Sequence, residues 1–316
     1  MLKAQPQPAE LVVVAALLTT SAALIPGPLY VVAISLFGLP HVIWELAFIR
    51  RTYGTSLPRL FWRAVVVVLV IQLLGRLASW DGLLDAQDAA LVDLLTLCVL
   101  VSGVLVALLA SSGLSPRLLV TLTISALLIY AVSKGQYVAV LMLLAVAHNF
   151  TPIALLPAST NPQHRTLAAH LRRLFLLPFL LAAVVLALTT AHLLNFHLDY
   201  EAPAEVTWLG KLIDGGARAI FSGLVLAQCL HYYTVLRLLP ASSKLPLMQR
   251  TALHVAIGSS ALMALAFAAH FDSAKQLYAL AAGAHAWLEW PVILLIASVP
   301  LRQSAAVLKH PEFSNA

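Results

Sequence analysis

The chain has 316 residues, of which 61% are hydrophobic and only 10% are charged, and its mean hydropathy is +0.92. A soluble domain carries about 25% charged residues, so this composition excludes an ordinary soluble globular protein. The net charge is +6, but the basic residues are spread among several loops rather than gathered in one patch, which excludes a nucleic-acid partner.

Apolar runs recur along the whole length and predict an all-α, polytopic membrane protein. We expect a transmembrane helix bundle of about ten helices, within a range of roughly eight to ten, that forms a single integral membrane domain over residues 1–316. The candidate helices cover residues 10–25, 29–50, 58–79, 88–111, 117–132, 135–156, 173–194, 216–239, 249–270 and 275–299. The first two helices are separated only by Pro26, Gly27 and Pro28, and the fifth helix is short.

The connecting loops alternate in charge along the chain. Fourteen of the 19 lysines and arginines precede the first helix or follow even-numbered helices, whereas the loops after odd-numbered helices are mostly acidic. Loops with an excess of Lys and Arg stay in the cytoplasm. We therefore expect both termini to be cytoplasmic and even-numbered helices to run from outside to inside. The expected location is the bacterial inner membrane.

The second helix carries two ionisable residues within the apolar sequence GLPHVIWELAFIR, residues 38–50. They are His41 and Glu45, with Trp44 between them. Ionisable side chains are costly inside a bilayer, and those found there have a partner or a function. Because residues four apart lie on the same face of a helix, His41 and Glu45 are expected to point in the same direction.

The sixth and eighth helices each carry one histidine among apolar residues. His148 lies in the sixth helix and precedes Asn149, and Pro152 is expected to kink the helix there and free a backbone carbonyl. His231 lies in the eighth helix and has polar or aromatic neighbours at three nearby positions, which are Gln228, Tyr232 and Tyr233. We interpret Asn149 and Gln228 as candidates to support the ligands of a polar site.

The tenth helix repeats the pattern of the second, because Glu289 follows His285 at a spacing of four, with Trp287 between them. The four histidines lie about 10 to 15 residues into helices that are predicted to run in the same direction, which is a spread of roughly 8 Å in depth. They can therefore converge near the bilayer midplane. His254 in the ninth helix lies at a similar depth counted from the opposite side, and it is a further candidate.

Four imidazoles and two carboxylates at one depth are typical of a metal site. Imidazole is the commonest metal ligand and binds in its neutral form, and a cation offsets the cost of burying carboxylates. A lone transmembrane histidine is more often a hydrogen-bonded contact between helices, whereas four histidines at one depth together with two glutamates favour a metal site. We predict that the metal ligands are His41, His148, His231 and His285. Glu45 and Glu289 are predicted catalytic residues that either bind the metal or orient an imidazole.

The segment Gly38-Leu39-Pro40-His41, with Glu45 four residues further on, resembles the Brp/Blh family of bacterial and archaeal β-carotene dioxygenases. Those proteins carry a G-x-P-H-G-x-x-D segment on an early helix, and Val42 and Glu45 depart from it here. The resemblance implies a polytopic helical protein in which histidines on several helices hold one iron. It also implies cleavage of β-carotene at its central double bond with O₂ to give retinal. It covers this motif and the general architecture only.

These observations predict a membrane-embedded non-haem iron oxygenase that acts with O₂ on a lipophilic substrate, either a carotenoid-like molecule or another lipid. The expected cofactor is Fe(II), as one ion or two, with zinc as the alternative. The expected partners are the substrate, O₂ and the lipid bilayer. The aromatic residues expected to contact the substrate are Trp44, Tyr232, Tyr233 and Trp287.

Three other functions fit the same residues. Paired histidines at one depth could hold haem in an electron carrier, which would give a Soret band. Histidine and glutamate could also form the pathway of a metal or proton transporter, although no inverted repeat of the kind common in transporters is evident. A zinc-dependent membrane hydrolase would use similar ligands, but no nucleophile accompanies the histidines.

Overall fold

The computed structural model describes residues 7–53, 59–112, 116–155, 169–191, 216–239 and 250–298. Within these ranges every regular element is helical and no strand is present, so the predicted all-α class is confirmed. Five helices in the same ranges are long and apolar enough to cross a membrane, and they cover Pro26–Arg51, Arg59–Trp80, Ala86–Val106, Ala169–Thr190 and Ala217–Leu238. An integral membrane protein is therefore indicated. The count of about ten spans stays a prediction, and both termini lie outside the described residues.

The helices are numbered in chain order, and two short π-helical segments are named π1 and π2. The elements are α1 (Pro8–Leu24), α2 (Pro26–Ala33), π1 (Ile34–Gly38), α3 (Leu39–Tyr53), α4 (Arg59–Trp80), α5 (Ala86–Ser112), α6 (Pro116–Ser133), α7 (Tyr137–His148), α8 (Pro152–Leu155), α9 (Leu177–Thr190), α10 (Ala217–Tyr233), π2 (Thr234–Leu238), α11 (Arg250–Ala269) and α12 (Phe271–Ser298). The segments α2, π1 and α3 follow one another without a break, and π2 directly continues α10.

Proline and apolar side chains explain much of this local structure. Pro8 and Pro26 begin α1 and α2, where the fixed φ of proline suits a helix and its missing N–H removes no hydrogen bond. Many large apolar side chains face outward, among them Val12 and Leu60, which are 68% and 75% exposed. So many outward-facing apolar side chains are consistent with contact with lipid, which solvates them as well as a protein core does.

The described chain divides into two compact units, and the first comprises Met1–Phe48 and Asn149–Ala282. Helix α10 is central to it, since it packs against α1, α2 and α9 and buries 12 of its 17 residues. Gly223 allows the close approach of α9, because a Cβ at this position would lie 2.8 Å from the carbonyl oxygen of Pro178. The first unit thus holds α10, which carries His231, tightly on several sides.

The second unit comprises Ile49–His148 and Gly283–Ala316. Helix α5 packs against α4, α6 and α7. An apolar core joins α5, α6 and the later part of α12, and its buried residues are Leu94, Leu97, Val101, Leu128 and Trp287. This core fixes the part of α12 that carries His285 and Glu289 against α5.

One predicted helix differs from the structure. The sequence predicts a single helix over residues 135–156, whereas α7 ends at His148 and a turn separates it from the short helix α8. Pro152 explains the break, because proline cannot donate a hydrogen bond to the carbonyl four residues earlier and disfavours helical backbone in the residue before it. His148 is therefore the last residue of a helix rather than the middle of one.

Candidate metal centre

Helix α3 carries His41 and Glu45, and π1 lies directly before it. The Nδ1 atom of His41 donates a hydrogen bond to the carbonyl oxygen of Phe37 in π1, over 3.1 Å. His41 is 1% exposed and Glu45 is fully buried. Because the proton is on Nδ1, Nε2 is the nitrogen whose lone pair could bind a metal ion. A carbonyl group of π1 thus orients the His41 ring.

Helix α10 brings His231 to the same place. Its Nε2 atom lies 3.3 Å from Oε2 of Glu45, and its ring centroid lies 5.1 Å from that of His41, with the two planes at 87°. We call His41, Glu45 and His231 the first group. Glu45 follows His41 by four residues on α3, but in the structure its carboxylate lies beside the imidazole of His231 on α10. Side chains on one helix face extend toward the facing helix, and here that helix is α10.

The second group comprises His148, His285 and Glu289, which are all buried. Nδ1 of His148 lies 2.8 Å from Oε2 of Glu289. The ring centroids of His148 and His285 are 4.6 Å apart, with their planes at 82°. As in the first group, one helix supplies a histidine and the glutamate, which are His285 and Glu289, and the glutamate carboxylate lies beside the histidine of a second helix, His148. Here the first helix is α12 and the second is α7.

A larger group of residues could hold a metal ion. Each of its members offers one ligand atom, these atoms lie within 4.8 Å of one another, and the residues are His41, Glu45, His148, His231 and His285. All five are buried. Because an uncompensated carboxylate is costly in a low-dielectric interior, a cation at this place would stabilise Glu45. Nitrogen and oxygen donors without thiolate fit iron, zinc or manganese.

Tyr232, a predicted substrate residue, lies against the first group, and its ring centroid is 4.2 Å from that of His41. Gln228 donates a hydrogen bond to the Tyr232 hydroxyl over 2.6 Å. The hydroxyl of Tyr278, on α12, lies 2.7 Å from the same oxygen. Gly38 makes room for Tyr278, because a Cβ at Gly38 would lie only 2.7 Å from the tyrosine ring.

Sequence reasoning missed Tyr278. The available signal was a tyrosine in the same apolar run as His285, seven residues earlier, but nothing in the sequence relates it to Gly38 or Tyr232. The glycine of the GLPH segment thus has a packing role here.

The remaining predicted residues have other surroundings. Tyr233 donates a hydrogen bond to Glu10 over 3.0 Å, and Trp287 packs in the core formed with α5. Trp44 and Asn149 are half-buried, on α3 and in the turn after His148. His254 is exposed on α11 and is not a member of the five-residue group.

The fold and the site together define a class: a helical protein with membrane-spanning character and a buried histidine–carboxylate group that could hold a metal ion. Comparison with protein-family models, with curated proteins and with solved structures gives no match. A fold alone does not define a function, which depends on the chemistry of the site.

Proposed function

We propose that this protein is a membrane-embedded non-haem iron oxygenase that acts with O₂ on a lipophilic substrate. The buried group of four histidines and one glutamate carries the proposal. Its nitrogen and oxygen donors are the ligand types of non-haem iron oxygenases, which combine histidines with a carboxylate. Bound Fe(II) would supply the binding and activation of O₂.

The ligands of the proposed iron come from both groups: His41 and His231 from the first, and His148 and His285 from the second. Glu45 offers a ligand atom of its own, whereas Glu289 contacts Nδ1 of His148. A carboxylate at the second nitrogen of a metal-binding imidazole fixes the ring and raises its basicity. Four neutral imidazoles, two carboxylates and one Fe(II) would give a site without net charge, which lowers the cost of its burial.

The protein side chains would also orient the substrate and exclude water. Every residue of the two groups is at most 8% exposed, so bulk water is kept from the ligands, which protects reactive oxygen chemistry from side reactions. We assign Trp44 and Tyr232 to the substrate. Trp44 directly precedes Glu45 in the sequence, and the Tyr232 ring lies against the ring of His41. Tyr233 and Trp287 are not assigned, because they contact Glu10 and the α5 core.

The resemblance of the Gly38–Glu45 segment to the Brp/Blh family favours a carotenoid-like substrate and cleavage of a double bond. The proposal also keeps the predicted topology of about ten spans, with both termini in the cytoplasm and the chain in the bacterial inner membrane. Reporter fusions at each terminus would test that topology. A periplasmic terminus would contradict it without touching the metal site.

The first experiment is elemental analysis of the detergent-purified protein, together with its ultraviolet–visible spectrum. We expect iron at about one equivalent per chain and no Soret band. O₂-dependent conversion of β-carotene or another carotenoid by the same sample would then support the oxygenase. Zinc alone would overturn the iron assignment in favour of a hydrolase, and a Soret band would do so in favour of an electron carrier. Protein purified without chelator that contains no metal would overturn the whole site.

A further inference from the structure

A partly buried ion pair, in which the carboxylate is buried and the guanidinium is 24% exposed, lies in the second unit, outside the proposed ligands. Nη2 of Arg76 on α4 donates to Oδ2 of Asp93 on α5 over 2.5 Å. Asp93 is 4% exposed, and its backbone carbonyl accepts a hydrogen bond from Thr96 over 2.8 Å. Ionisable residues inside membrane-spanning helices are costly and are functional in most cases. This pair therefore needs an explanation beyond packing.

The ion pair contacts α12 on both sides of His285. A Cβ at Gly283 would lie 2.6 Å from Nη2 of Arg76 and 2.7 Å from its Cζ and Nη1 atoms, so the guanidinium packs directly on the α12 backbone at this glycine. Trp287 lies near the Asp93 carboxylate without a hydrogen bond to it, and it packs with Leu94 and Leu97 of α5 in the apolar core. Gly283 and Trp287 stand two residues before and two residues after His285.

We propose that Arg76 and Asp93 are positioning residues that fix the turn of α12 carrying His285, an inference that rests on the proposed metal site. Arg76 sets how closely this turn approaches α4, and Asp93 with Trp287 sets its rotation against α5. A ligand must be held within about 0.5 Å of its productive position by the residues behind it. A buried ion pair adds little stability compared with apolar residues of similar size, but it can specify one packing arrangement.

The test measures metal affinity by chelator competition in the full-length, detergent-purified protein loaded with iron. Gly283→Ala would push the guanidinium away from α12, and Gly103→Ala on α5 is its control, because a Cβ at Gly103 meets nothing within 4 Å. We expect Gly283→Ala to weaken iron binding about 10- to 100-fold, the range found when residues that support metal ligands are changed. Gly103→Ala should leave the affinity unchanged.

A double variant separates positioning from folding. Replacing Arg76 alone would leave the buried Asp93 carboxylate uncompensated, whereas apolar replacement of both partners is well tolerated. We therefore expect Arg76→Met with Asp93→Leu to fold, to weaken metal binding by a similar factor, and to change the ligand-field absorption of the cobalt(II)-loaded protein. That absorption reports ligand geometry, which a purely structural pair would leave unchanged.

The outcomes separate the two proposals. If the wild-type protein binds iron and both variants bind it with wild-type affinity and spectra, the positioning role is overturned and the metal site stands. If the wild-type protein binds no metal, the proposed function fails, and the positioning role fails with it. Loss of affinity in Gly283→Ala and in the double variant, with Gly103→Ala unchanged, supports the positioning role.

Discussion

The first and second groups are built on the same plan. In each, one helix supplies a histidine and a glutamate four residues later, and a second helix supplies another histidine. In each, the glutamate lies beside the histidine of the second helix, at 3.3 Å in the first group and 2.8 Å in the second. The two imidazole rings are nearly perpendicular in both, at 87° and 82°. The same four-residue spacing therefore produces the same local arrangement twice.

The two groups differ in what holds them. In the first, π1 ends three residues before His41, and π2 begins three residues after His231. A carbonyl oxygen of π1 also accepts a hydrogen bond from His41. π-Helical turns are frequent at functional sites, where they re-aim side chains. In the second, His148 ends a helix, and Arg76 with Asp93 lies against the turn that carries His285. The backbone geometry of the two π segments thus supports the first group, and the ion pair between Arg76 and Asp93 supports the second.

The largest expected effect concerns whether the two groups hold one ion together. If they do, His41→Ala and His285→Ala should each reduce bound metal from about one equivalent per chain to nearly none, because each removes a ligand of the same ion. Elemental analysis of the purified variants measures this. His254→Ala is the matched control, since that histidine is exposed, and it should retain the metal. If each group instead holds its own ion, the wild-type protein should contain about two equivalents per chain and each variant about one.

Removal of the metal should destabilise the folded protein. A ligand present at about 1,000 times its Kd contributes about 4 kcal/mol to the free energy of unfolding. We therefore expect a chelator to lower the thermal unfolding midpoint of the wild-type protein and to leave that of His41→Ala unchanged. An equal drop in both proteins would mean that the chelator acts elsewhere than at these groups.

The two glutamates should differ in their effect on metal affinity. Glu45→Gln removes a carboxylate oxygen that belongs to the five-residue group, so we expect a loss greater than about 100-fold, which is more than about 2.8 kcal/mol. Glu289→Gln acts through His148 and should cost about 10- to 100-fold. Chelator competition on both variants checks the order. A larger loss for Glu289→Gln would make Glu289 the direct ligand and Glu45 the supporting residue.

The smallest expected effect tests the support of the first group. A Cβ at Gly38 would lie 2.7 Å from the Tyr278 ring, so Gly38→Ala should lower the free energy of unfolding by about 1–3 kcal/mol through overpacking. A Cβ at Gly258 on α11 meets nothing within 4 Å, and alanine there should stabilise the helix by about 0.5–1 kcal/mol. Unfolding midpoints of the two variants should therefore shift in opposite directions. Equal shifts would show that Tyr278 moves aside at little cost.

The class of protein and the candidate ligands could be predicted without the structure. Apolar composition and run length require no knowledge of contacts, because a helix that spans lipid satisfies its own backbone hydrogen bonds. The spacing of four placed His41 with Glu45, and His285 with Glu289, on shared helix faces. Pro152 also signalled an interruption after His148, although the sequence predicted a kink and the structure has a helix end.

Which side chains contact one another depends on the packing of the helices. That Glu45 lies beside His231, that Glu289 lies beside His148, and that Tyr278 packs on Gly38 depend on how each helix is rotated about its axis. Rotation is set by the packing of side chains from distant parts of the chain, such as the guanidinium of Arg76 against Gly283. Periodicity within one helix carries no information about the residues that face it from another, and for that reason partners separated by more than one hundred residues, like Glu289 and His148, were beyond prediction from the sequence.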